Sequence, residues 1–310
     1  MKIFKTSRAL SRAAKGPVLT LGNFDGLHLG HRKIIEKVRG RAARLGRASV
    51  VYTFEPHPLK VVAPQKSPLL IVDARKKADL VASLGIDFMV IAEFTREFAA
   101  KHPRAFVEDE IVPLRPVEVW VGHDFSFGKA KSGTVDYLRL LGGEFGFTVH
   151  VIPAYMKAGE VVSSSRIRGL VTEGSVAEAS KLLGRDFSVS GKVVKGRSVG
   201  KELGFPTANL CTGAELIPAD GVYAARATVS GRKHGAVVNI GVAPTFGENA
   251  RCIEVHILGF KGNIYGKRME VEFVKRLRGE RAFKSKDALI TQIRKDSERA
   301  AKLLAAKIRP

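Results

Sequence analysis

The sequence is short of cysteine. Cys211 and Cys252 are the only two in 310 residues, too few to staple so long a chain, and with no paired CxxC they form no zinc site. A reducing, cytoplasmic setting fits that usage. Long apolar runs are also missing. None approaches the ~18 residues of a membrane span, so no membrane partner is expected. The opening stretch MKIFKTSRALSRAAKG has no apolar core of a secretory signal. No GxxxxGK(S/T) occurs anywhere, so a phosphate site here is not a P-loop. Trp120 is the single tryptophan, and the five tyrosines do not cluster with basic residues, as a nucleic-acid module would require. Acidic residues are scarce beside basic ones: 30 against 52, a formal charge of +22. Such an excess suits nucleic acid or nucleotide phosphates. The Lys and Arg residues are scattered rather than blocked, which equally fits solvated faces.

What is present is globular material, 45% hydrophobic and 26% charged. A chain of this length reads as two domains at roughly 100–200 residues each. In the first half, Val18–Leu21, Ser49–Phe54, Phe88–Ile91, Val117–Val121 and Phe147–Ile152 read as buried strands. Between them His31–Leu45, Ala74–Leu84, Pro103–Leu114 and Val135–Leu141 read as helices. Alternating strand and helix predicts a parallel sheet covered on both faces, with ligands at the carboxyl ends of its strands. Two short helices follow, Arg166–Thr172 and Val176–Leu183, the second ended by Gly184. Beyond Arg185 the period becomes two. Phe187–Val194, Gly221–Val229, Ala236–Ile240, Cys252–Leu258 and Arg268–Val274 read as strands joined by Gly-rich turns, among them Gly231–Lys233. With no long helix between them they predict an antiparallel barrel. Ser285 can cap a last helix from Lys286 to about Ala305. The domain boundary is expected near 185, giving domains 1–184 and 185–310.

The strand Val18–Leu21 runs into GNFDGLHLGH, residues 22–31, with a helix starting near His31. Glycines let the backbone turn and a phosphate come close. The helix start offers free N–H groups and the positive end of its dipole. His28 and His31, three residues apart, can both donate to one anion. HxGH after a first strand is the signature of nucleotidyltransferases. A metal site on the two histidines lacks a third local ligand, and a plain Gly-rich turn with surface histidines is the other alternative. Three more segments fall at strand or helix ends: TFEPHP with Phe54, Pro56, His57 and Pro58; GHDFSFG with Asp124, Phe125 and Phe127; and Ser163-Ser164-Ser165-Arg166-Ile167-Arg168. Hydroxyls at a helix start, with an arginine one turn on, can grip a triphosphate.

A second Gly-rich stretch spans GKVVKGRSVGKELGFPTANL, residues 191–210. Its Thr207 hydroxyl and Asn209 amide oxygen are hard ligands of the kind that Mg²⁺ accepts, alongside waters and phosphates. A turn capped by Thr and Asn would read the same way. Glu254 lies in a predicted strand, on one face with Cys252 and His256. A strand carboxylate there is either a base or an exposed ion-pair partner.

Together these segments resemble the bacterial bifunctional riboflavin kinase/FMN adenylyltransferases, or FAD synthetases. GNFDGLHLGH, TFEPHP, GHDFSFG and VSSSRIR carry the likeness in the first half. GRSVGKELGFPTANL, DGVYAARA, NIGVAPTF, IEVHILGF with NIYG, and LRGERAF carry it in the second, in the family's order. The resemblance implies an α/β chain, with an N-terminal Rossmann-like nucleotidyltransferase domain and a C-terminal antiparallel β-barrel kinase domain closed by a helix. It implies ATP as substrate in both, Mg²⁺ as cofactor, and riboflavin and FMN as partners. Carried over by position, His28 and His31 would contact ATP phosphates. Gly22, Asn23, Phe24, Asp25, Gly26, Phe54, Pro56, His57, Pro58, Asp124, Phe125, Phe127, Ser163, Ser164, Ser165 and Arg168 would hold nucleotide and flavin. In the kinase, Gly196, Arg197, Gly200, Gly204, Phe205, Pro206, Thr207, Asn209, Tyr223 and Asn239 would bind substrates, with Thr207 and Asn209 on the Mg²⁺ and Glu254 as general base on the ribityl 5′-hydroxyl.

Three positions depart from the family pattern: Ser165 where a threonine is common, His123 where Glu is common, and Gly279 where Pro is common. None removes a reactive group. Two rival readings are an adenylyltransferase acting on another acceptor, such as phosphopantetheine or nicotinamide mononucleotide, and a nucleic-acid-binding protein. LGFPTANL with Glu254 argues against the first, and the ungrouped aromatics against the second. The sequence leaves the oligomeric state open.

Overall fold

The computed structural model describes residues 1–196, 200, 203–242 and 251–306. The chain divides into two compact units, Met1–Ser164 and Ser165–Pro310.

The first unit is built on six parallel strands: β1 (Lys2–Phe4), β2 (Val18–Leu21), β3 (Ser49–Glu55), β4 (Phe88–Glu93), β5 (Glu118–Gly122) and β6 (Thr148–Ile152). Their order across the sheet is β1-β4-β3-β2-β5-β6. All four residues of β2 are buried, as expected of a central strand covered on both faces. Period two then sorts β3 into two cores. Val50 and Tyr52 join Leu10, Leu19 and Leu21 on one face, and Val51 joins Phe24, Ile35 and Met89 on the other. From β2 the chain steps outward through β3 and β4, then returns to build β5 and β6 on the other side. The reversal falls between β2 and β5, where a ligand crevice opens in such sheets.

Five of the six strands were expected. The sixth, β1, is a three-residue edge strand with two exposed residues, too short to carry a pattern. The helix expected over Pro103–Leu114 changes character along its length. It is α-helical over Pro103–Phe106, makes one wide π turn over Val107–Ile111, and tightens to a 3-10 turn over Val112–Leu114. Pro113 has no N–H to continue an α ladder. The wide turn also seats Glu110, whose carboxylate accepts hydrogen bonds from the Tyr52 hydroxyl at 2.7 Å and the Lys101 ammonium at 2.8 Å. Past β6 a small hairpin pairs β7 (Met156–Lys157) with β8 (Glu160–Val161).

The second unit opens with helices Ser164–Thr172 and Val176–Leu183. Then come β9 (Phe187–Val194), β10 (Ala208–Cys211), β11 (Gly221–Val229), β12 (Arg232–Val242), β13 (Arg251–Ile257) and β14 (Arg268–Arg278). They close a barrel in the order β10-β13-β12-β11-β14-β9, and every neighbouring pair is antiparallel. Phe187, Tyr223 and Phe273 fill the interior, with the Tyr223 and Phe273 rings 5.4 Å apart. Val222, Ala224, Val237 and Leu277 pack instead against Ala300 of the last helix, Lys286–Ala306. Ser285 caps that helix by accepting from the Ala288 N–H at 3.2 Å. The turn expected at Gly231–Lys233 is shorter, because Arg232 and Lys233 already belong to β12. Ser230 and Gly231, with φ of 50° and 76°, make a two-residue connection whose twist matches the strands.

The last helix is tied to the barrel by a buried ion pair, in which the Arg278 guanidinium lies 2.9 Å from the Asp296 carboxylate. Removing one partner strands the other. Asp296→Ala is expected to destabilise the barrel by roughly 1.5–3 kcal/mol, read from urea unfolding followed by circular dichroism. Arg139→Ala, which breaks the exposed pair with Asp136, is expected to cost about 0–1 kcal/mol.

Candidate active sites

The first site forms where β2 ends. Phe24, Gly26 and Leu27 all take left-handed backbone conformations, with φ of 48°, 80° and 40°, so residues 22–28 curl tightly. Asp25 is buried under this loop, and its carboxylate accepts the backbone N–H groups of Ile71, at 3.0 and 3.2 Å, and Val72, at 3.4 Å. It anchors the loop to the segment leading into helix Ala74–Ser83. His28 caps helix Leu29–Leu45, with Nδ1 accepting the His31 backbone N–H at 3.3 Å. A neutral imidazole that accepts at Nδ1 carries its proton on Nε2. The His28 and His31 rings stack at 3.6 Å. A Cβ on Gly30 would fall 3.1 Å from the His28 ring, close enough that the ring would have to shift. His31 Nδ1 is buried with no hydrogen-bond partner. Burial, then the neighbouring charges of His28 and Lys77, hold the His31 pKa well below the ordinary histidine value.

Neighbouring strand ends supply further groups. The Thr53 hydroxyl donates to the Asn23 carbonyl at 3.2 Å. Beyond the Glu55–Pro56 peptide, which is cis, His57 is buried and caps helix Pro58–Val62, its Nδ1 accepting from the Leu59 N–H at 3.3 Å. Pro58 occupies the first turn, where a missing N–H costs nothing. The Ser164 hydroxyl donates to the Asp25 carbonyl at 2.9 Å, which brings Ser164 to the GNFDG loop. Ser163 is half-buried, and Ser165 is exposed. Arg168 follows Ser164 by one turn on the same helix. At the end of β5, Asp124 points outward with 83% of its side chain exposed.

An aromatic row that the sequence reading did not order runs from β5 to β3. Phe125 stacks on Phe127 at 5.7 Å, Phe127 meets Phe106 at 5.6 Å, Phe106 meets Phe98 at 5.9 Å, and Phe98 meets Phe54 at 5.8 Å. Phe98 and Phe106 were missed because each sits in a one-turn helix with no motif around it. Lys77 was missed for a different reason. In Ala-Arg-Lys-Lys-Ala-Asp it reads as one of a run of solvated cations, yet it is only 7% exposed.

The second site lies across the barrel. Register places Asn209 of β10 opposite Glu254 of β13, and Glu254 opposite Asn239 of β12. Directly paired residues share a face, so the three form a row. Thr207, two residues before Asn209, falls on the same side. Gly196 lies against the Asn209 amide so closely that no Cβ would fit. The Cys252 thiol donates to Asn209 Oδ1 at 2.9 Å, and burial pushes its pKa up to about 11. Glu254 makes no ion pair among the described residues, and burial raises its pKa. The loop before β10 is fixed by the Phe205 N–H donating to the Gly200 carbonyl at 2.7 Å and by the left-handed Gly204 (φ 84°). The Pro206 carbonyl accepts from His256 Nδ1 at 2.9 Å. Tyr223 is apart from the row. It faces the barrel interior, and its hydroxyl donates to the Ala219 carbonyl at 2.5 Å. Arg197, like residues 243–246 of NIGVAPTF, lies outside the described residues.

Comparison with known proteins gives a consistent answer for both units. The family model for FAD synthetase matches residues 10–166. The model for riboflavin kinase matches residues 183–304. The bifunctional riboflavin kinase/FMN adenylyltransferase of Escherichia coli (strain K12) is 36% identical over 299 residues, 96% of each chain. The Listeria monocytogenes protein of the same name is 36% identical, covering 91% of this chain and 90% of its own. A Streptococcus pneumoniae crystal structure described as a macrolide-efflux protein superposes with a TM-score of 0.85 and 28% identity, covering 96% of this chain and 97% of that one. No described helix of this chain is long and apolar enough to cross a membrane. With both units matched in order and relatives covered almost end to end, the chain belongs to the family of bifunctional riboflavin kinase/FMN adenylyltransferases.

Proposed function

We propose that each unit carries one of the family's two reactions: FMN adenylylation at the end of β2 within domain 1–184, and riboflavin phosphorylation on the Asn209–Glu254–Asn239 row within domain 185–310. The reactions themselves follow from the family. ATP and riboflavin give FMN and ADP, and ATP and FMN give FAD and pyrophosphate. A cytoplasmic setting accords with two cysteines that are both free thiols.

The two sites differ as the two chemistries require. In adenylylation the nucleophile is an FMN phosphate oxygen, already anionic at neutral pH. It attacks the α-phosphorus, the α–β bridging oxygen leaves with pyrophosphate, and no proton need be taken up by a base. Alignment and donors to the phosphates suffice. His28, with its proton on Nε2, supplies such a donor, and His31, the loop N–H groups and Ser164 add to it. The half-buried rings of the row, Phe54, Phe98 and Phe125, offer apolar surface suited to an aromatic ring system such as flavin.

Phosphorylation starts from a neutral alcohol. As the ribityl 5′-oxygen attacks the γ-phosphorus, its proton must go to a base, and Glu254 is placed to take it. Burial raises that carboxylate's pKa, and no counter-ion offsets the shift among the described residues. This is the single observation that most supports the kinase assignment. The oxygens of Thr207 and Asn209 fit Mg²⁺ arriving with the nucleotide, because two neutral hard ligands leave the other positions to water and phosphate. At Asn209 the metal would displace only the weak Cys252 thiol donor. The ion supplies charge neutralisation on the transferring phosphoryl group.

Chromatography of riboflavin, FMN and FAD tests both assignments in one protein. Glu254→Gln is expected to slow FMN formation about 10²–10⁴-fold and leave conversion of added FMN to FAD unchanged. His28→Ala is expected to do the reverse. A single change that abolished both activities in a folded protein would overturn the assignment of separate sites. The pH profile gives a second check. A base with a raised pKa is protonated, and idle, up to a higher pH. The acid limb of FMN formation therefore lies above the ordinary carboxylate range, and FAD formation does not share it.

A further inference from the structure

Lys77 is the anomaly of the first unit. It sits on helix Ala74–Ser83, within the core, at 7% exposure. Lysine is almost never fully buried unless paired. Yet among the described residues Lys77 makes no ion pair and no side-chain hydrogen bond. The charges of Glu55 and Asp25 reach it without contact. Glu55 ends β3, and Asp25 belongs to the loop after β2. The Asp25 carboxylate is held by the Ile71 and Val72 N–H groups. Lys77 is also close enough to His31 to disfavour a second positive charge there. His31 Nδ1, for its part, is buried without a partner. His31 Nδ1 is thus buried and unsatisfied, and beside it lies a cation that makes no ion pair among the described residues. A buried ammonium with no counter-ion is costly, and the group that would satisfy both is an anion entering at the end of β2.

We propose that Lys77 is a third phosphate-binding residue of the adenylylation site, holding the β- and γ-phosphates of ATP, and then the pyrophosphate they become, together with His28 and His31. Burial lowers the lysine pKa, and a polyphosphate opposes that shift by supplying the missing counter-charge. His31 stays neutral beside it, so Lys77 carries the full positive charge that offsets the leaving group. The inference rests on the placement of adenylylation at His28 and His31.

The alternative is structural, with Lys77 as a distant counter-ion stabilising Asp25 and Glu55. The two roles predict opposite stabilities. Replacing an unpaired buried charge with an apolar side chain of similar length relieves the fold, whereas removing a needed counter-ion weakens it. The experiment compares full-length wild type, Lys77→Met, Lys77→Arg and His28→Ala, using inorganic pyrophosphate as probe. Calorimetry gives its affinity, thermal melts give stability, and chromatography gives both activities. For Lys77→Met the expected results are a ligand-free melting temperature equal to or above wild type and pyrophosphate binding weakened about 10–100-fold. FAD formation should fall by a similar factor, with FMN formation unchanged. Lys77→Arg should recover part of the binding.

A lower melting temperature with wild-type pyrophosphate affinity would overturn the proposal and establish the counter-ion role. Unchanged pyrophosphate affinity and FAD formation in Lys77→Met would also overturn it. In either case the His28 assignment is judged separately. If His28→Ala kept full pyrophosphate binding and FAD formation while Lys77→Met lost them, the histidine placement would fail and Lys77 would stand.

Discussion

The first unit turns on one short contact, the His31 backbone N–H given to His28 Nδ1. It satisfies an otherwise open donor at the start of helix Leu29–Leu45. It also holds the His28 imidazole against position 30, where the absence of a side chain avoids a tight contact with the ring. The ring then stacks on His31 and its proton is confined to Nε2. Sequence spacing, helix capping and the available donor are therefore one arrangement. Asp25 supports it from below by holding the loop to Ile71 and Val72, and Ser164 supports it from the side.

The barrel solves a different problem by different means. Three strands in register deliver Asn209, Glu254 and Asn239 to one face without any glycine-rich helix start. Rigid ladder pairing fixes the spacing, and burial tunes the carboxylate. In the proposed assignment the first site gathers donors for phosphate that is already charged, and the second adds a base for an alcohol that is not. One chain thus carries the family's two activities, with one family model matched to each part of it.

Much of this was legible before any coordinates. The central strands β2 to β6 announced themselves as apolar runs, and β9, β11 and the last helix matched their expected bounds closely. Hydrophobic period and burial express the same constraint. The elements that escaped are those too short for a period, among them β1, β7, β8, β10 and the short helices Ser7–Ser11, Pro58–Val62 and Arg96–Ala99. The π turn at Val107–Ile111 escaped as well, because it depends on the Glu110 contacts across the core. Among site residues, motifs with strong local geometry, such as HxGH and PTAN, were readable. Lys77, Phe98 and Phe106 were not, since their importance comes from what the fold places beside them. Asp25 and Tyr223 show the converse. Both stand in recognisable motifs, and both turn their polar atoms to the backbone of their own unit.

The account depends most directly on the proton of His28. Nitrogen-15 NMR of the imidazole side chains in the full-length protein reads it without recourse to activity. A pyridine-type shift at His28 Nδ1 and a pyrrole-type shift at Nε2, with the Nε2 signal moving when pyrophosphate is added, is the predicted result. A pyrrole-type Nδ1 would mean that the ring cannot cap the helix as described, and it would contradict the arrangement on which the first site is built.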